Sequence, residues 1–189
     1  MWPLKRYLEY RGHGPCHLIT YDPDSHDNVE AMVNEVDREM RRHANVMTDR
    51  VSIVGQSMGG VVANRLHRAG WDIDAAVYIG SPLHGARFIN TLEQTVPRAL
   101  FRWLNKPPYD YLRRASREQP PPHPYRTISM AWPFINFDGC VHRDEATLDT
   151  RYHTHLQWAD HRTVFANPRL WITVNTLLEQ ARRQKKKSE

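Results

Sequence analysis

Residues 50–62, RVSIVGQSMGGVV, place Ser57 at the centre of a G-x-S-x-G pentapeptide. A serine hydroxyl is a poor nucleophile at neutral pH. It attacks a carbonyl only when a base takes its proton, a third group orients that base, and hydrogen-bond donors receive the negative oxygen that forms. The residues around Ser57 suit such an attack. VSIV reads as an apolar strand, GQSMGG as a sharp turn whose glycines avoid side-chain clashes, and VVANRLHRAG as a helix whose N-terminus faces the serine oxygen. The backbone N–H of Met58, directly after the serine, is then one donor for the oxyanion. The pentapeptide alone is a weak pattern, but the strand before it, the helix behind it and the extra Gly60 favour a nucleophile over a purely structural turn.

The elements that must hold such a site follow from periodicity. Short β-rich runs occur at 16–21 (CHLITY), 51–55, 75–80, 127–132 (TISMAW) and 152–158 (YHTHLQW), with helical patterns filling several of the gaps. This alternation predicts a mostly parallel α/β sheet. Between the first two strands, Val29, Met32, Val33, Val36 and Met40 fall on one helical face, with Asp27 and Glu30 spaced as a capping box. Near the C-terminus Asn167 can cap a helix with Pro168 at its first position, and Leu170, Trp171, Val174, Leu177, Leu178 and Ala181 form its buried face. The segment 118–125, EQPPPHPY, reads as a connector. The helix-prone, proline-interrupted stretch 88–116 is a candidate helical cap, whose Leu100, Phe101, Trp103 and Leu104 suit either acyl chains or a structural helix face.

At 189 residues the chain is expected to be one domain, residues 1–182, with a basic disordered tail over 183–189. Lys and Arg number 26 against 21 Asp and Glu, and the tail supplies most of the excess. A terminal basic run of this kind is ordinarily solvated, and no aromatic-basic motif supports specific nucleic-acid binding. No apolar run is long enough to span a bilayer, and the N-terminus has no continuous apolar signal segment, so a soluble intracellular protein is the expectation. Cys16 and Cys140 lie outside any C-x-x-C spacing and read as ordinary thiols.

The GQSMGG turn resembles the G-[HQ]-S-M-G-G nucleophile elbow of small lipases and esterases in the α/β-hydrolase superfamily. The segment 78–88, YIGSPLHGARF, is similar to the G-[ST]-P-x-x-G stretch after the next strand in many lipases. The resemblance covers nearly the whole chain and implies a truncated α/β-hydrolase fold of about five strands with helices on both faces. It also implies a catalytic triad in the order Ser, acid, His. Asp138, in an Asp-Gly-x-Val segment after TISMAW, stands where the acid is wanted, with Asp144 the runner-up and Asp149 behind it. His161, after the last strand and before the C-terminal helix, stands where the base is wanted. His84 lies in a loop that lines the site in these families without supplying the base. His153 and His155 alternate along a strand and so share one sheet face. A metal site from His142, His153 and His155 lacks a matching carboxylate pattern, and neither metal nor cofactor is implied.

One part is missing. The second oxyanion donor in lipase-like families comes from an apolar strand ending in His-Gly. Gly12-His13-Gly14 looks like that motif, but Leu4, Tyr7 and Leu8 before it have helical spacing, so the segment reads as the turn closing a helix. In the family's register the chain starts one strand late, and the absent strand belongs between CHLITY and VSIVG. The gap would leave unpaired backbone groups in the interior, at roughly 1–3 kcal/mol per buried group. Either the flanking strands pair directly, another chain donates a strand, or further residues lie upstream. Self-association through the incomplete sheet therefore stays open. The expected activity is serine-dependent hydrolysis of an acyl ester or lipid. The alternative is a catalytically impaired hydrolase fold kept as a structural or interaction protein.

Overall fold

A computed structural model describes residues 1–22, 25–45, 49–86, 118–122, 124–132 and 134–188. The candidate cap at 88–116 lies outside the described residues. Four helices and four strands organise the rest: α1 (Trp2–Tyr10), α2 (Val29–Met40), β1 (Val51–Gln56), α3 (Met58–Arg68), β2 (Ile73–Ile79), β3 (Tyr125–Ala131), β4 (His153–Gln157) and α4 (Pro168–Ser188).

The strands form one parallel sheet in the order β1-β2-β3-β4. Parallel strands joined by crossovers carry helices on both faces, which is why β2 and β3 are buried along almost their whole length. On β2, Ala76 and Tyr78 join a core with Met32, Val36 and Leu66 from α2 and α3. The alternate residues Ala75, Val77 and Ile79 pack with Leu4 and Leu8 of α1 and Leu170, Val174 and Leu178 of α4. The expected parallel α/β sheet with helices on both faces is thus present, with four strands in the described sheet where about five were expected.

Three local expectations change. The cap of α2 is Asn28, whose side chain accepts from the Ala31 N–H at 2.8 Å, so the helix starts one residue after the Asp27 box. Asn28 has extended backbone, φ −163°, as a cap requires, and Glu30 pairs with Arg65 instead. The residues expected as a disordered tail continue α4 as far as Ser188. Gln, Arg and Lys are good helix formers, and cations complement the negative end of the helix dipole.

The third change concerns CHLITY. Residues 15–22 run without strand assignment, and no described backbone hydrogen bond joins them to β1. A strand needs a neighbour, and here a cavity of about 1080 Å³ opens between the two, lined by Cys16, Ile19 and Tyr21 on one side and by all of β1 on the other. The flanking segments have not closed on each other, so β1, inner in the expected order, is one edge of the sheet among the described residues. Most of its residues are half-buried, whereas those of β2 are mostly fully buried. Ser57 N–H donates to Ile79 O and Val51 N–H to Asp72 O. By alternation the backbone groups of Ser52, Val54 and Gln56 therefore face the open side.

Candidate active site

Ser57 stands between the end of β1 and the first turn of α3, with φ 52° and ψ −129°. A non-glycine residue with positive φ and this ψ is strained, at about 1–3 kcal/mol, and persists only where its surroundings hold it. The glycines around it make the turn possible. A Cβ on Gly55 would lie 2.5 Å from the Gly59 carbonyl oxygen, and one on Gly60 would lie 1.8 Å from Ser81 Oγ. The second contact joins the two sequence motifs: Gly60 of the elbow packs on Ser81 of the Gly-Ser-Pro segment. Met58 opens α3, so its N–H has no intrahelical acceptor.

Asp138 and His161 meet in the loops after β3 and β4. His161 Nδ1 donates to Asp138 Oδ2 at 2.9 Å, and the His161 N–H donates to the Asp138 carbonyl at 3.0 Å. The carboxylate is almost fully buried, at 1% side-chain exposure, against 13% for the imidazole. Its other oxygen, Oδ1, accepts from the N–H groups of Cys140 at 2.8 Å and Val141 at 2.7 Å. That geometry is why an Asp-Gly turn suits this place: the acid folds back on the loop that carries it. With Nδ1 engaged by the carboxylate, Nε2 is the ring nitrogen able to accept a proton.

Two neighbours of this pair were not legible as partners. Gly80 lies against it, and a Cβ there would stand 3.0 Å from Asp138 Oδ2 and 3.5 Å from His161 Nδ1. Gln56 Nε2 donates to the His161 carbonyl at 2.7 Å, tying the elbow to the histidine loop. Gln56 sits inside the quoted motif, but a contact to a loop 105 residues away leaves no local pattern. Ser57, Met58 and His161 line the same cavity, along with Tyr21, Val54, Val141 and Leu178.

The remaining candidates have other surroundings. Asp149 caps a short turn and pairs with Arg151, and Asp144 accepts from Thr147 N–H through its carbonyl. His84 is held by the Thr147 carbonyl at 2.8 Å. His153 and His155 share Ser129 Oγ at 2.9 and 2.8 Å on one sheet face, and burial lowers the His153 pKa to about 4. His142 stacks obliquely on Phe137. Among the described residues no three His, Cys, Asp or Glu side chains are grouped to hold a metal ion. His13 Nε2 meets Asn175 Oδ1 of α4 at 2.8 Å, and α1 ends in the turn that carries it. Burial raises the pKa of both Cys16 and Cys140, keeping them thiols.

The profile of the Alpha/beta hydrolase family matches residues 2–182, and the chain belongs to that family. No curated protein matches. Among solved structures, the chain is similar to the mature form of the Bacillus licheniformis lipase BlEst2, at TM-score 0.56 and 14% identity over 80% of this chain and 74% of that one. The propeptide form of BlEst2 gives TM-score 0.58 at 13% identity, covering 79% of this chain and 41% of that one. Phospholipase PlaB from Legionella pneumophila gives 0.50 at 12%, covering 77% and 40%. At these identities the likeness establishes the fold, and the family supports a hydrolase. Among the described residues no helix is long and apolar enough to cross a membrane.

Proposed function

We propose that the chain is a serine hydrolase of carboxylic esters, with Ser57 as nucleophile, His161 as base and Asp138 as the acid that orients it. The observation that carries this reading is the buried Asp138–His161 hydrogen bond on the cavity that Ser57 enters from a strained turn. Ser57 Oγ adds to the acyl carbonyl while its proton passes to His161 Nε2. The imidazolium formed is stabilised by the Asp138 carboxylate and returns the proton to the leaving alcohol. Water then repeats the sequence on the acyl-enzyme. The Met58 N–H, at the positive end of α3, receives the oxyanion. A cavity of about 1080 Å³ with walls from Val54, Ile53, Leu66 and Leu178 suits the acyl part of an ester or lipid.

The test is fluorophosphonate labelling with the adduct located by mass spectrometry, alongside turnover of a short-chain p-nitrophenyl ester. The expected result is an adduct on Ser57 and turnover that disappears in Ser57→Ala. A folded chain that shows neither is the impaired hydrolase fold of the second reading, which the placement of His13 against α4 favours, since it leaves the His-Gly turn serving the helix end. The open edge of β1 further supports self-association through the incomplete sheet.

A further inference from the structure

The Met58 N–H is one oxyanion donor, and a site of this kind needs a second. The Gly12-His13-Gly14 turn closes α1, with the His13 side chain bonded to Asn175 of α4. A residue that approaches the elbow from the segment across the cavity is Tyr21. A Cβ built on Gly59 would lie 3.8 Å from Tyr21 Oη, which puts the phenol hydroxyl beside the first turn of α3. Tyr21 lines the same cavity as Ser57, Met58 and His161. Among the described residues its hydroxyl has no hydrogen-bond partner. Its ring is held in place, packed against the α2/α3 core and edge-on to His26 at 6.4 Å between centroids. The side chain is thus fixed while its hydroxyl is unspent among the described residues.

We infer that Tyr21 is a catalytic residue, its hydroxyl donating the second hydrogen bond to the oxyanion that forms when Ser57 adds to the acyl carbonyl. The inference rests on the serine-hydrolase reading. As the Ser57 Oγ–C bond forms, the carbonyl π pair moves to oxygen and the serine proton goes to His161. Tyr21 keeps its own proton and only shares it in a hydrogen bond. Burial raises the phenol pKa to about 12, so the group stays a donor across the working pH range.

The test is Tyr21→Phe, which keeps the ring packing and removes the hydroxyl. With a short-chain p-nitrophenyl ester, kcat is expected to fall about 100- to 1,000-fold with KM nearly unchanged, as for loss of one oxyanion donor. Affinity for a trifluoromethyl ketone, which forms the tetrahedral adduct, should weaken in parallel. A variant that keeps wild-type kcat overturns the role of Tyr21 while Ser57-dependent turnover of the wild type leaves the hydrolase reading standing. A wild type without Ser57 labelling or turnover overturns both. If Tyr21→Phe does not fold, 3,5-difluorotyrosine at position 21 replaces it. Its more acidic phenol should lose activity at alkaline pH where the wild type does not, and an unchanged pH profile counts against the inference.

Discussion

Ser57, Gly60, Asp138 and His161 each hold a conformation or contact that a generic residue would not. Ser57 is strained, Gly60 has no room for a methyl group, and the Asp138 carboxylate is buried with hydrogen bonds to both oxygens. Buried polar groups are tolerated when satisfied, so the acid and its loop form together. His153 offers a separate test of local electrostatics. Its Nδ1 meets Thr127 Oγ1 at 2.8 Å and its Nε2 meets Ser129 Oγ at 2.9 Å, and burial, with Arg143 nearby, lowers its pKa from 6.5 to about 4. Between those two values the unfolded chain binds a proton at this residue that the folded chain does not. Stability therefore falls as pH drops from 6.5 towards about 4, and the loss is complete below that. Urea unfolding at stepped pH should show a shallower decline in His153→Gln over this window. An identical slope in both proteins would mean that His153 protonates as readily folded as unfolded.

At the scale of elements, α4 shows how a periodic face converts to stability. Leu170, Val174, Leu178 and Ala181 are buried against the sheet and α1, while Ile172 on the same helix is 57% exposed. Leu170→Ala should destabilise by about 2–5 kcal/mol, because it removes buried apolar volume from a packed core. Ile172→Ala should stay within about 0.5 kcal/mol. Denaturant titration of the pair measures the contrast directly, and equal costs would mean that α4 is not seated as described. The helix also carries the start of the site's supporting frame: Trp171 Nε1 donates to the Phe165 carbonyl at 2.8 Å, bracing the turn between His161 and α4.

At the scale of the whole molecule, the open edge at β1 and the cavity beside it are the dominant features. A strand edge whose backbone donors and acceptors are unpaired among the described residues can template pairing with another chain. Light scattering after size exclusion should show concentration-dependent dimers. Val54→Pro, which removes an N–H on the open side and leaves the bonds to β2, should reduce them. A monomer at every concentration would sink the self-association proposal. The amino-acid sequence alone determined what depends on near neighbours: the strand–Ser57–helix turn, the core faces of α2 and α4, and the alternation that makes the sheet parallel. The resemblance to a known loop order also pointed to Asp138 and His161, 23 residues apart, whose side chains are hydrogen-bonded in the structure. Only the tertiary structure decided that CHLITY is not a strand, since it lies across the cavity from β1 with no described backbone hydrogen bond to it. Likewise Gln56 on the His161 carbonyl, Gly80 against the Asp138–His161 pair and Tyr21 beside Gly59 are long-range meetings. Side chains brought together by chain crossovers leave no periodic trace in the sequence, because their separation along the chain is set by topology and not by local geometry.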